Sequence, residues 1–231
     1  MGTAGWSIPA AVRHEFPDAG TMLERYAARF NAVEINSSFH RPHRRSTWER
    51  WAASVPAEFR FAVKLPKTIT HERRLVEVDA LLEQFAMEVG GLGARLGPVL
   101  VQLPPSLIFV EQTAAGFFDR LQGELHAACA CEPRHPSWFT PQADALLTGL
   151  RVARVAADPA RCPEAALPGG WRGLIYARWH GSPAMYRSSY AAAALAAHAD
   201  LARLGDSWTF YDNTMLGAAT ADALGLSALL G

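Results

Sequence analysis

"HAACACEPR", residues 126–134, runs through small residues and two cysteines into a closely spaced acid and base. Along an extended strand, residues two apart share a face. Ala130, Glu132 and Arg134 therefore look one way, and Cys129 and Cys131 the other. The segment reads as a buried strand that turns polar on one face only where it ends. In a parallel barrel such C-terminal ends converge on one mouth, where binding and catalytic groups sit.

The pattern recurs outward in both directions. "GTAGW" opens a first strand, "AVEIN" a second, "FRFAVKLP" a third and "GPVLVQLPP" a fourth; "RVARVAADP" is a sixth, "GLIYARWHG" a seventh and "SWTFYDNT" an eighth. Between them lie "TMLERYAARF", "STWERWAAS", "VDALLEQFAMEVGGLGARL", "TAAGFFDRL", "PQADALLTGL" and "YAAAALAAHADLARL", with "LGAATADALGLSALL" last, and apolar positions three and four apart mark them as helices. The connector "PARCPEAALPGGW" is rich in proline and glycine, which predicts an irregular or missing helix between strands six and seven. Eight strands with helical crossovers and no break in composition predict an α/β fold, a TIM-type (β/α)8 barrel in one domain over residues 1–231; a doubly wound open sheet is the competitor.

Parity places a polar group at the end of every strand after the first. Glu34 and Asn36 share a face, as do Tyr176, Arg178 and His180; Lys64 follows Ala62, Gln102 follows Leu100, Asp158 follows Ala156 and Asp212 follows Phe210. The first strand ends in Trp6. Any one of these charges also has a bland explanation, since loops that flank strands are solvated.

Composition bounds the partners. The chain has 231 residues, half of them hydrophobic, enough for one substantial core. Its 22 basic and 22 acidic residues cancel, so no overall field draws it to nucleic acid or an anionic membrane. Lys64 and Lys67 are the only lysines. Three cysteines without paired metal spacing, and an N-terminus "MGTAGWSIP" that does not read as a leader, predict a reduced, cytoplasmic setting. No apolar run has the length of a membrane span.

The ordered motifs "GTAGWS", "VEINSSFHR", "FRFAVKLPKTITH", "LVQLPP", "EPRHPSW", "YARWHG" and "FYDNT" together resemble the YecE-like family, a domain of unknown function, from Gly2 to about Asn213. The resemblance implies a TIM-type barrel with a polar mouth and supplies no reaction. It carries over to Gly5, Trp6, Glu34, Asn36, Phe39, Lys64, Thr70, His71, Gln102, Pro104, Glu132, Arg134, His135, Trp138, Arg178, His180, Gly181, Asp212 and Asn213. The chain departs from the family pattern at "AAVRHEFP", which keeps only Phe16 and Pro17 of an aromatic-rich stretch, at His40 in place of a tyrosine, and at Pro133 in place of a phenylalanine.

Acids, bases and cations together predict acid-base chemistry on a small anionic substrate, a phosphate ester among the options. Glu132 or Glu34 is the expected proton acceptor, and His180 or His71 the donor. Arg134 and Arg178 would clamp the anion through paired donors, with Trp6, Asn36, His40, Lys64, Gln102, His135, Trp138, Asp158, Asp212 and Asn213 completing the binding surface. No cofactor is expected, because "GGLGARLG" reads as a helix end and "GTAGWS" lacks dinucleotide spacing. Two alternatives stand beside this reading. One is a divalent-metal-dependent phosphodiesterase or isomerase-like enzyme with Glu34, Glu132, His180 and Asp212 as ligands. The other is a non-catalytic protein that binds a nucleotide or nucleic-acid end, with Trp6 and Trp138 as a stacking wall. Opposite charges on converging strands can also simply hold one another. Oligomeric state is open.

Overall fold

A computed structural model describes residues 1–231. Its strands are β1 (Gly2–Thr3), β2 (Ala32–Ile35), β3 (Arg60–Lys64), β4 (Leu96–Gln102), β5 (Cys129–Glu132), β6 (Val152–Arg154), β7 (Ala156–Asp158), β8 (Gly169–Gly170), β9 (Ile175–Trp179) and β10 (Ser207–Tyr211). Parallel pairing runs through β2, β3, β4, β5 and β6, and separately through β7, β9, β10 and β1. The two arcs meet at both seams: Gly5 N–H donates to Glu34 O at 2.8 Å, and β6 runs on through Val155 directly into β7. The result is a TIM-type barrel.

The expected sixth strand is divided at Val155. Its first half, β6, pairs with β5 and its second half, β7, pairs with β9. Register corrects one expectation here. Ala157 is the partner of Arg178 and Asp158 the partner of Trp179, and residues paired across a ladder point the same way. Ala153, Val155 and Ala157 thus line the interior, while Asp158 faces the helices instead of the mouth.

The helices are α1 (Met22–Ala27), α2 (Ser37–His40), α3 (Arg45–Ala53), α4 (Asp79–Val89), α5 (Glu111–Glu124), α6 (Pro141–Gly149), α7 (Ala192–Ala202) and α8 (Ala218–Leu230). Their limits follow local chemistry. Thr21 and Glu24 form a reciprocal capping box at the start of α1, and Thr140 caps α6 with Pro141 in its first turn. In α5 the buried Ala114, Phe117, Phe118 and Leu121 recur at spacings of three, one and three, one stripe against the sheet. The glycine-rich run after α4 is a 3-10 segment, Gly90–Arg95, whose Gly93 has φ +52° and ψ −131° and leads the chain into β4. Between β7 and β9 there is only a single 3-10 turn, Pro163–Ala166, and the antiparallel stub β8. No helix is long and apolar enough to cross a membrane.

Two apolar layers result. Ala32, Ala62, Leu100, Ala130, Tyr176 and Phe210 fill the barrel; four strands contribute small or aliphatic groups, leaving room for two aromatic rings from the neighbouring pair β9 and β10. Outside, Val33, Phe61, Val99, Cys129, Cys131 and Ala177 meet the helices. Both cysteines face outward, as parity predicts.

Candidate functional site

Two residues further along each strand from the apolar filling, the interior becomes polar and largely ionic. Arg178, on β9, is wholly inaccessible to solvent. Its guanidinium donates from Nε and Nη2 to Glu34, at 3.0 Å to Oε2 and 2.8 Å to Oε1. Nη1 donates to Glu132 Oε2 at 2.6 Å, and Nη2 also to Asp212 Oδ2 at 2.9 Å. Three carboxylates from β2, β5 and the end of β10 thus surround one cation. Burying an ion costs roughly several kcal/mol, and only such saturation offsets it. Burial opposes the charge on Arg178, but the Glu34, Glu132 and Asp212 carboxylates prevail and raise its pKa well above the usual guanidinium value.

Each acid has further partners. The Tyr176 hydroxyl donates to Glu34 Oε2 at 2.7 Å. Gln102, in register with Glu132, donates to its Oε2 at 3.0 Å, and Arg134 donates to its Oε1 from Nε at 3.1 Å and Nη2 at 3.0 Å. Burial pushes the Glu132 carboxyl up, yet Arg178, His180 and Arg134 together hold it well below the usual range. Asp212 is also depressed: burial opposes the charge, and Arg178 and His180 outweigh it. Asn36 donates to Asp212 Oδ1 at 3.4 Å.

His180 follows β9 and lies between two of these acids. Its Nδ1 pairs with Asp212 Oδ2 at 3.0 Å; its Nε2 stands 3.5 Å from Glu132 Oε1, buried and without a hydrogen-bond partner. Burial and Arg178 act to lower its pKa, and the Asp212 and Glu132 contacts reverse the sign, leaving it above the ordinary imidazole value.

Lys64 is different. Its residue is only 8% exposed, and Nζ sits 4.0 Å from the centroid of the Phe39 ring. While Arg178 takes the acids, Lys64 forms no ion pair with any of them. Burial, with Arg178 adding repulsion, lowers its pKa to about 8. The position is built by α2: Ser38 Oγ donates to Lys64 O at 2.7 Å, and Phe39 follows directly. A π-helical turn, Thr68–Glu72, then brings His71 edge-on to Phe39 with ring centroids 5.0 Å apart. Burial first, then Lys64 and Arg134, lower the His71 pKa; its Nδ1 pairs with Thr70 Oγ1 at 2.8 Å.

The barrel therefore gathers Glu34, Asn36, Lys64, Gln102, Glu132, Arg134, Arg178, His180 and Asp212, with His71 at the rim. It does not gather six others. Besides Asp158, Trp6 packs edge-on against Trp51 of α3, with ring centroids 5.1 Å apart. Trp138 is buried, donating to Leu107 O at 2.9 Å beside Phe109. Of the expected stacking wall, Trp138 is thus core, and Trp6 is half-buried against α3. His40 is exposed on α2, and His135 accepts from Ser137 N–H at 3.2 Å as the cap of a short 3-10 turn. Asn213 ties the following loop to Ser188 O at 2.8 Å and to Asp222 Oδ2 at 2.6 Å of α8. Polar residues one position out of phase with a barrel strand serve the helix layer.

Tyr176 and Tyr186 escaped the sequence assignment. Parity places Tyr176 beside Arg178, a usable signal. Tyr186, from the loop after β9, lies edge-on to His180 with centroids 5.6 Å apart; no strand period points to it.

The proposed metal set does converge, but the space between its three carboxylates is filled by the Arg178 guanidinium, and no group of three or more His, Cys, Asp or Glu is arranged to hold an ion. The donor set does not fit a divalent cation.

The family model for a protein of unknown function, DUF72, matches residues 1–231. The chain belongs to the DUF72 family. It is 34% identical over 140 residues to the UPF0759 protein YecE of Escherichia coli (strain K12), covering 60% of this chain and 49% of that protein. Against the UPF0759 protein YunF of Bacillus subtilis (strain 168) the figures are 28% over 149 residues, 61% and 52%. The DUF72 chain thus spans about half the length of the curated relatives it matches. A crystal structure of a DUF72 family protein from Enterococcus faecalis V583 superposes with a TM-score of 0.82 at 18% identity, covering 99% of this chain and 94% of that one. One from Thermotoga maritima MSB8 gives 0.78 at 22%, covering 99% and 97%. The fold is the DUF72 fold.

Proposed function

We propose that the mouth is the active site of an enzyme that performs acid-base chemistry on a small anionic substrate, bearing a carboxylate or a phosphate. The observation that carries this reading is Lys64, a nearly buried cation without a carboxylate partner among acids committed to Arg178. A structural ion network has no use for an unpaired charge, whereas an anion site requires one. With its pKa lowered to about 8, the amine attracts the anion when charged and accepts a substrate proton when free. His180 presents the hydrogen-bond-free Nε2 as proton donor, oriented by Asp212 through Nδ1. Arg134 and His71 complete the clamp at the rim. Glu132 and Glu34, expected from the sequence as proton acceptors, instead hold Arg178; Glu132, surrounded by Gln102, Arg134 and Arg178, is a poor base. A narrow cavity lined by Glu132, Arg134, Ala157, Arg161 and His180 adjoins the clamp, and Lys64 is not among the residues that line it. A cytoplasmic setting, in keeping with the three free cysteines, is part of the proposal.

Calorimetric titration with inorganic phosphate, glycolate and glyoxylate tests it. Binding of at least one should weaken by about tenfold or more in Lys64→Met and in Arg134→Gln, since a charge-assisted hydrogen bond is worth about 1.5–3 kcal/mol. Affinities unchanged by both substitutions would reject the site.

A further inference from the structure

We propose that Lys64 is an amine nucleophile, and that the mouth condenses it with the carbonyl carbon of a small oxo acid to form a protonated imine. This rests on the reading of the mouth as a small-anion site and adds the substrate class.

The placement of the amine motivates it. Lys64 ends β3 inside the barrel, and its Nζ stands 4.0 Å from the centroid of the Phe39 ring without an ion pair. Lys67, three residues on, is the contrast: its Nζ pairs with Glu72 at 3.2 Å on the surface. A lysine kept for charge alone does well in the second setting. One kept as a nucleophile needs the first, where burial favours the neutral amine and no carboxylate pairs with the nitrogen to hold it protonated. Its pKa, lowered to about 8, agrees.

The remaining parts of an imine-forming site lie on the same mouth. The free Lys64 amine attacks the carbonyl carbon; a C–N bond forms and the carbonyl π pair moves to oxygen, which takes a proton from His180 Nε2. The nitrogen of the addition product returns a proton to His180. A second transfer from His180 to the hydroxyl lets the C–O bond break, water leaves, and the nitrogen lone pair closes the C=N bond. Amine, carbonyl and one proton give iminium and water. The carboxylate of the oxo acid is met by Arg134, whose Nε and Nη2 are used by Glu132 while Nη1 makes no hydrogen bond to a carboxylate. Cationic carbon and nitrogen would sit close to Glu34, Glu132 and Asp212, whose charges already act on Lys64.

The test is glyoxylate with sodium cyanoborohydride at neutral pH, followed by peptide mapping, with propionaldehyde as the uncharged probe. The expected result is a carboxymethyl adduct on Lys64 at least about tenfold above that on Lys67, because the mouth holds the oxo acid against one amine while the surface amine meets it only by collision. It should be slowed in His180→Gln, and in Arg134→Gln slowed for glyoxylate only. Labelling of Lys64 no greater than Lys67, with calorimetric glyoxylate binding that still falls in Arg134→Gln, would overturn the imine and leave the anion site standing. Failure of both labelling and binding would overturn the two together. Glyoxylate labelling no faster than propionaldehyde labelling, and equally insensitive to Arg134→Gln, would overturn the oxo-acid assignment.

Discussion

Arg178 is the residue on which the mouth turns. Deleting a cation that three buried carboxylates share leaves those charges unpaired in a dry interior, so Arg178→Met should destabilise the protein by about 3–5 kcal/mol in urea denaturation. The pH dependence of that difference has a definite sign. Glu132 and Asp212 have folded pKa values below their unfolded ones, so their stabilisation is complete above about pH 4, the ordinary carboxylate range, and is lost as pH falls through the depressed values. The gap between wild type and Arg178→Met should therefore narrow in acid; a gap constant down to pH 2 would contradict the network. Lys64 works in the other direction. Its pKa of about 8 lies below the unfolded value of 10.5, so charging it in the fold is a penalty that is complete below pH 8 and fades as pH rises toward 10.5. Lys64→Met should stabilise the protein at pH 7 and lose that advantage by pH 10, read from thermal melts. A residue whose removal improves stability while weakening ligand binding would be one retained for function.

At the scale of elements, the site depends on how strands end. The loop leaving β9 turns at Gly181, with φ +93°, and a Cβ there would lie 2.7 Å from Ser188 O. Its N–H donates to the Tyr190 hydroxyl at 2.9 Å, which in turn donates to Asp158 Oδ2 at 2.8 Å. Asp158 thus contributes by anchoring the loop that carries Tyr186 past His180. Gly93 has φ +52° and open space around its Cβ direction. Gly181→Ala should cost more than Gly93→Ala, roughly 2–3 against 1 kcal/mol, because the first adds a backbone collision to the same left-handed strain. Equal losses in urea melts would show that the loop relaxes freely. The element expectations fared unevenly for a physical reason. Helices with a continuous apolar stripe, such as α5, were legible to within a few residues, whereas the division of the sixth strand at Val155 was not. Both halves are apolar and extended, and only the neighbour each half pairs with tells them apart.

At the scale of the molecule, closure puts distant residues together. Glu34 and Asp212 meet on one guanidinium because β1 lies between β2 and β10, joined through Ala4 and Glu34 on one side and Gly2 and Phe210 on the other. The sequence by itself determined the alternation of strands and helices apart from the short α2 and the divided sixth strand, the barrel, and which alternate residues face inward in β2, β3, β4, β5, β9 and β10, since period two and period 3.6 are local properties of the chain. It also marked Glu34, Lys64, Glu132, Arg178, His180 and Asp212 as polar ends on the inner face. Tertiary structure alone decided their division of labour. Which carboxylates surround Arg178, that Lys64 is left unpaired over Phe39, and that Trp138 and Asp158 belong to the helix layer depend on register, stagger and burial around the closed ring. Charge pairing and desolvation act between neighbours in space, and Glu34 and Arg178, which pair here, are 144 positions apart in the chain.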